Sequence, residues 1–376
     1  MPNKIKVAVV GVGNCCSALY QGIEYYRDAD QESIPGIMFA VIGGYYPRDI
    51  TFVAAFDIDE RKVGLPLGEA IFQQPNCARV FMPQVPAGPL VQMGQPLDGF
   101  SEHMLSEDPD RGFRLSGADP VDVVQLLKES QADVLLNFCP VGSEEATRYY
   151  AQCCIDAGVA MVNCIPVFIA SDPTWERRFA DAGLPIIGDD MRSQFGASVV
   201  SQVLQELALD RGAVVDFHQQ INVGGNTDFN NMMVQSRLSS KKQSKENVIR
   251  AQSELRGVSI EKDSLFAGPS TFIPYLKDTK VAYFNLLLRG FGDAPISFDA
   301  KLSVCDSENS AGVVIDAIRY LKVAHELGIA GALRGPSAWT QKTPPMQMTL
   351  ADAQAECAAL AQRQLTATMK SGKQQA

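Results

Sequence analysis

The chain has 376 residues, 46% of them apolar and 20% charged, with a formal net charge of −10. That length exceeds what one hydrophobic core usually sustains, so two lobes are expected in an ordinary globular composition. The acidic balance excludes a strongly basic nucleic-acid binder, and no run of 18 apolar residues offers a membrane span.

In chain order, Lys4-Ile-Lys-Val-Ala-Val-Val-Gly-Val-Gly-Asn14 reads as a buried strand entering a glycine turn, with a helix from about Cys15 to Tyr26. Met1 to Lys6 leads straight into this strand, so no leader segment is expected. Phe52 to Asp59 is the second strand. Gly64 and Pro66 then allow only a short helix at about 67–72. Asp119-Pro-Val-Asp-Val-Val-Gln-Leu-Leu-Lys128 predicts a helix capped by Asp119 with proline at its first position. The buried strand Ala132 to Phe138 follows. The alternation continues with a helix over 144–157, a strand over 160–165, a helix over 175–182 and a strand over 185–190. This pattern predicts an open parallel sheet wound on both faces.

A long helix is expected over about 196–210, and the character then changes. Val214 to Val223 and Lys280 to Arg289 read as longer strands, and Ile296 to Val304 alternates with period two. Between them lies the basic stretch Arg237-Leu-Ser-Ser-Lys-Lys-Gln-Ser-Lys245. Residues 201–304 are therefore taken as an α+β second lobe. Residues 1–200 form the first lobe, completed by 305–376 through a helix over 310–327 that returns to it. The polar, basic segment 235–268 is expected to be mobile without ligand.

Nine cysteines occur, at 15, 16, 77, 139, 153, 154, 164, 305 and 357, with no CxxC pair. This pattern reads as reduced, apolar cysteine and hence a cytoplasmic protein. His103, His218 and His325 stand apart and read as ordinary core or surface residues. Proton transfer is left to Lys, Asp or Glu.

Gly11-Val-Gly13-Asn14 between a buried strand and a helix has the form of a dinucleotide turn. The glycines let a pyrophosphate approach, and the helix N-terminus supplies N–H groups. Cys16 takes the place of the third glycine. Asp57 ends the second strand, where a carboxylate binds the adenine ribose and favours NAD over NADP. It lies 44 residues beyond Gly13, about twice the usual spacing. Residues 28–50 must then be an insertion. A purely structural glycine turn is the alternative.

Several ordered segments together resemble the myo-inositol-1-phosphate synthases, in their shorter bacterial and archaeal form. They are Val7 to Cys15, Pro140-Val-Gly142-Ser143, Pro166 to Ser171, Gly188-Asp-Asp190 with Ser193, and Asn222-Val-Gly-Gly-Asn226-Thr-Asp228. They continue with Ser240 to Lys245, Lys280-Val-Ala-Tyr283, Asp306 to Gly312 and Lys342-Thr-Pro-Pro345. The resemblance covers nearly the whole chain. It implies an α/β fold, with a doubly wound, Rossmann-like NAD-binding domain and an α+β domain for catalysis and tetramerisation.

The reaction it implies oxidises C5 of open-chain glucose 6-phosphate with NAD, removes a C6 proton, closes the enolate onto the C1 aldehyde, and reduces C5 again. Fixed ammonium groups suit the negative charges that develop. By resemblance, Lys241 transfers the proton of the redox step, Lys245 and Lys280 stabilise oxygen charges, and Lys342 assists at C1 or holds substrate. Lys241 and Lys245 would share one helix face. Asp190, Asp228 and Asp306 are carried over as catalytic acids, and Ser193, Asn222 and Asn226 as substrate contacts. Gly11, Gly13, Asn14, Cys15, Asp57, Pro140, Gly142, Ser143 and Asp190 form the expected cofactor set.

Other readings of these residues remain. Arg237 to Lys245 also reads as a solvated basic stretch, and Asp190 as a helix cap. Asp228 also fits an Asx-turn and Asp306 a cap for the following helix. The family implies a homotetramer and either a monovalent cation (K+ or NH4+) or a divalent one. With no His/Cys cluster, the ligands of any ion would be oxygens, and the sequence singles out none. Alternative functions are a related carbocyclase acting on another sugar phosphate, a plain NAD-dependent dehydrogenase, and an inactive NAD-binding regulator.

Overall fold

The computed structural model describes residues 4–28, 34–233, 239–258, 261 and 264–365, with the side chains of 239–245 outside the description. The strands are β1 (Ile5–Val10), β2 (Ile50–Asp57), β3 (Val91–Met93), β4 (Val134–Asn137), β5 (Ala160–Asn163), β6 (Pro185–Ile187), β7 (Val214–Gly224), β8 (Leu265–Phe272), β9 (Thr279–Arg289), β10 (Pro295–Cys305) and β11 (Gly331–Ala332).

Seven strands form one parallel sheet in the order β11-β6-β5-β4-β1-β2-β3. Strand β1 is buried on both faces, as its unbroken apolar run requires. Ile5, Val7 and Val9 face a core shared with the helices Asn14–Tyr25, Asp306–Glu326 and Leu350–Ala361. Ala8 and Val10 face the opposite core, shared with Val123–Glu129, Glu144–Ala157 and Pro173–Asp181. The sheet is thus wound on both faces. Because β2 and β4 flank β1 on either side, the connection reverses there. Ligands of such sheets bind in the crevice at the strands' carboxyl ends.

The expected insertion after the first helix is present. The described part, 34–49, lies against the long helix Asp306–Glu326, where the buried Arg319 guanidinium bonds the carbonyls of Phe39, Ala40 and Tyr45. That helix returns to the parallel sheet as expected, but it starts four residues earlier than the predicted Ser310.

A second correction concerns the helix before β4. It spans Val123–Glu129, and its cap is Asp122, whose carboxylate accepts from the Gln125 N–H, rather than Asp119. Val121 is still extended, its N–H donating to the Met93 carbonyl beside β3. The Asp119–Pro120 step is therefore lead-in, not helix.

The second sheet has the order β10-β9-β7-β8. Strands β9 and β10 form an antiparallel hairpin, β7 pairs antiparallel with β9, and β8 lies parallel to β7. Strand β8 was not legible in the sequence because Gly268 and Pro269 interrupt it. As an edge strand it tolerates the missing donor of proline. Ala282, Phe284 and Leu286 bury one face against Ala197, Val200 and Leu204 of the helix Ala197–Asp210. On the opposite face Tyr283 and Leu287 are exposed. The helix Ser239–Glu254 covers part of the segment expected to be mobile, and it buries Val248 and Ile249. Gln235 and Arg237 lie outside the described residues. Among the described residues, no helix is long and apolar enough to cross a membrane.

Candidate active site

The crevice holds a cavity of about 270 Å³ that runs from the glycine turn to the second sheet. At the turn, Gly11 has φ +88°, and a Cβ there would sit 2.5 Å from the Phe138 carbonyl oxygen at the end of β4. Only glycine lets β1 and the loop after β4 approach so closely. A Cβ on Gly13, by contrast, would meet nothing within 4 Å. The helix Asn14–Tyr25 that starts there has no side-chain cap, so its first N–H groups are left for an anion. The turn therefore fits a dinucleotide pyrophosphate. Asp57 lines the same cavity. Its carboxylate accepts from the N–H groups of Val12 (2.6 Å), Ile58 (2.8 Å) and Asp59 (2.9 Å), which fixes it at the end of β2.

Asn14 lines the cavity, but its side-chain oxygen is occupied by the N–H groups of Cys77 and Ala78. It thus fastens the loop over the turn. Cys15 also lines the cavity, and burial, with Asp278, Asp306 and Asp228 nearby, pushes its thiol up to about 12. It is a neutral contact. Pro140 lines the cavity, whereas Gly142 and Ser143 do not. The Ser143 hydroxyl turns back 2.7 Å onto the Pro140 carbonyl, so these two residues shape the turn behind the site.

After β6 come two aspartates with separate tasks. Asp189 is fully buried and accepts from Asn163, from the backbone of Ile169, Ala170 and Ser171, and from the Ser171 hydroxyl. Burial raises its carboxyl to about 6. It anchors the loop after β5. Asp190, at φ +63°, faces the cavity instead, and its Oδ1 accepts from Lys342 Nζ at 2.7 Å. Lys342 also donates to the Met191 carbonyl at 2.8 Å. Reciprocal backbone bonds between Asp189 and Thr343, and the Lys342 N–H on the Asp190 carbonyl, place the pair.

On the second sheet, Lys280 of β9 forms an ion pair with Asp306, the first residue of the helix Asp306–Glu326. Both line the cavity, as do Ser193, Asn222, Asn226 and Asp228. Neither Asp228 nor Asp306 caps its own helix, and the helix that follows Asp190 starts from Gly196. Asn226, not Asp228, caps the helix Thr227–Asn231 by accepting from the Phe229 N–H. The N-terminus of the helix at 306 is held by Asp278, which accepts from the Ser307 N–H (3.0 Å) and hydroxyl (2.9 Å). Asp278 also accepts from the Asn226 amide at 3.1 Å. Burial and the neighbouring Asp306 push its carboxyl up to about 7.

Asn222 is buried. Its amide donates to the Gly268 carbonyl and its oxygen accepts from Gln220. The side chains of Lys241 and Lys245 lie outside the described residues. Their backbone belongs to the first turns of the helix Ser239–Glu254.

Sequence reasoning missed Asp278, Gln220, Ser307, Ser310 and Lys62. Asp278 had one available signal: it stands two residues before Lys280, immediately ahead of the same strand. Ser307 and Ser310 fall inside the Asp306 to Gly312 segment but were not singled out within it, and Gln220 and Lys62 lie in no pattern that separates them from ordinary core polar residues.

The family model of myo-inositol-1-phosphate synthase matches residues 196–307. The inositol-3-phosphate synthase of Mycolicibacterium smegmatis is 48% identical over 357 residues, covering 94% of this chain and 96% of that protein. The enzyme of the same name from Mycobacterium tuberculosis is 49% identical over 346 residues, 92% of each chain. The crystal structure of Ari2 matches with a TM-score of 0.74 and 34% identity, covering 96% of this chain and 99% of that one. With relatives this similar along almost its whole length, the chain belongs to the myo-inositol-1-phosphate synthase family.

Proposed function

We propose that the protein converts D-glucose 6-phosphate into 1L-myo-inositol 1-phosphate, with NAD as a cofactor that is regenerated in each turnover. The observation that carries this reading is that one cavity is lined both by the glycine turn with Asp57 and by the pairs Lys280–Asp306 and Lys342–Asp190. When bound, NAD supplies a reversible two-electron oxidation at C5.

The protein's own groups do the rest. An ammonium held by a carboxylate is fixed in place before reaction, so it stabilises a developing oxyanion without reorganising. Lys342 is assigned to the C1 oxygen as it becomes an alkoxide in the aldol closure. Lys280, with Lys245, is assigned to the oxygens of C5 and the enolate, and Lys241 to the proton of the C5 hydroxyl. Asp228, Ser193, Asn222 and Asn226 are assigned to orient the sugar hydroxyls and phosphate. Gly11, Gly13, Cys15, Asp57 and Pro140 are assigned to the cofactor.

An activating cation, monovalent (K+ or NH4+) or divalent, belongs to the same proposal. Oxygen donors suit a hard cation, and besides Asp57 the cavity is lined by the carboxylates of Asp190, Asp228 and Asp306. We assign cofactor binding to residues 1–200 with 305–376, and catalysis and oligomerisation to 201–304. A homotetramer would cover the open face of the second sheet, where Tyr283 and Leu287 are 47% and 44% exposed. All nine cysteines are free, which supports a cytoplasmic place of action.

Phosphorus NMR with glucose 6-phosphate and catalytic NAD, with each cation supplied in turn, tests the reading. Inositol 1-phosphate should accumulate without net NADH, and Lys241→Ala should abolish turnover. NAD binding with no conversion under any cation would overturn the assignment of substrate and reaction.

A further inference from the structure

Beside the glycine turn is an ammonium group that none of these roles uses. Lys62 follows β2 in a tight turn, its N–H on the Asp59 carbonyl, and is only 4% exposed. Its Nζ donates to the Val12 carbonyl at 2.7 Å, between the two glycines, and the side chain lines the cavity. Among the described residues, no carboxylate lies within ion-pair distance of it. The two nearest in sequence are committed elsewhere. Asp57 takes three backbone N–H groups. Asp59 takes the Arg61 guanidinium through both oxygens, and the Arg61 and Arg114 N–H groups.

An ammonium carries three donors, and Lys62 spends one on a neutral carbonyl. A buried charge with one neutral partner is costly, and a structural tether to Val12 needs only a neutral donor. The arrangement is explained if an anion arrives at the cavity side of Val12. The open Gly13 backbone and the uncapped helix N-terminus prepare the same place for an anion.

Resting on the reading of this cavity as an NAD site, we propose that Lys62 is a cofactor-binding residue that donates to the dinucleotide's pyrophosphate. The glycine turn then supplies backbone N–H groups, and Lys62 supplies the positive charge that backbone groups lack.

The test is calorimetric titration of the full-length protein with NAD, ADP-ribose and adenosine, for the wild type, Lys62→Met, Lys62→Gln and Lys62→Arg. Circular dichroism checks that each variant folds. Lys62→Gln retains a donor toward Val12 but no charge, and it carries the test if Lys62→Met does not fold. Loss of a charge-assisted hydrogen bond should weaken NAD and ADP-ribose roughly 10- to 100-fold in both neutral variants. Adenosine, which lacks the pyrophosphate, should change less than about 3-fold on the same reasoning, and Lys62→Arg should recover part of the loss.

Wild-type affinity for ADP-ribose in Lys62→Gln would show that the residue merely tethers the turn, and would overturn the proposal. So would an equal loss for adenosine, or no loss in any variant. A wild-type protein that binds none of the three ligands would instead overturn the cofactor reading itself.

Discussion

His218 lies in the middle of a buried hydrogen-bond chain whose direction can be fixed from one end. Asn222 donates to the Gly268 carbonyl, so its oxygen accepts from Gln220, whose own oxygen accepts from the Ser201 hydroxyl. Ser201 can then only accept from His218 Nε2, 3.1 Å away. Nδ1 lies 2.8 Å from the Gln205 Oε1 oxygen, and the Gln205 amide nitrogen donates to the Ser253 hydroxyl at 2.9 Å. A neutral ring is satisfied when Gln205 offers its amide nitrogen to Nδ1 and its oxygen to Ser253. The recorded orientation, with the Gln205 oxygen toward Nδ1, matches a charged ring, and a half-turn of the amide exchanges its oxygen and nitrogen to suit the neutral one.

Burial decides between them, lowering the imidazole from 6.5 to about 4. The sign follows. The unfolded chain takes up a proton below pH 6.5 and the folded chain resists until about pH 4, so His218 costs stability as pH falls through that window. At about 1.4 kcal/mol per unit, the loss between pH 7.5 and pH 5 is about 2 kcal/mol. Urea unfolding of the wild type and His218→Asn, at equal protomer concentration, measures it. The other titrating groups cancel in the difference. The wild type should lose about 2 kcal/mol more than the variant between the two pH values. Parallel losses would show that the ring is charged in its buried site and refute the argument.

Three further outcomes are expected. Lys342→Met should lower turnover about 100- to 1,000-fold by removing a fixed oxyanion donor. It should also destabilise the fold by about 3 kcal/mol or more, because the buried Asp190 loses the Lys342 ammonium; a variant within 3-fold of wild-type turnover would remove Lys342 from the chemistry. Gly11→Ala should cost about 2–4 kcal/mol in urea unfolding, from the left-handed backbone plus contact with the Phe138 carbonyl, and should abolish NAD binding in titration. On the proposed tetramer, Leu287→Asp should shift light-scattering mass from four times the 40.8-kDa chain toward smaller species, and an unchanged mass would place any oligomer contact elsewhere.

Five strands of the parallel sheet, β1, β2, β4, β5 and β6, were legible as unbroken apolar runs with helices between them, whereas the short edge strands β3 and β11 were not. Glu144–Ala157 matches the residue range expected for it. The second sheet was legible only in part. Strands β7, β9 and β10 are long and alternate, whereas β8 owes its place to pairing with β7, which local sequence does not encode. The helix Ser239–Glu254 was not legible in full, because the polar, basic segment 235–268 read as mobile and the helix's apolar contacts, Val248 and Ile249 among them, fall in its second half. In the candidate site, the glycine turn and the lysines sit in ordered motifs. Asp278 and Lys62 do not, because what marks them is burial and the partners they have or lack, and those exist only once the chain has folded.

Asp278 shows why the two sheets must be read together. It starts the segment that leads into β9, and its carboxylate and carbonyl hold the first residues of the helix Asp306–Glu326. That helix is buried against the parallel sheet. The same carboxylate holds Asn226, the residue that turns the chain after β7. One side chain thus fixes where Lys280 and Asp306 stand relative to the crevice beside the glycine turn. The isolated second sheet would still contain Lys280, but without the N-terminus of that helix it would lose the groups that Asp278 and Lys280 bond. Lys280 therefore depends on the first sheet for its position, and in the proposed reaction that placement brings the cofactor turn and the aldol groups to one cavity.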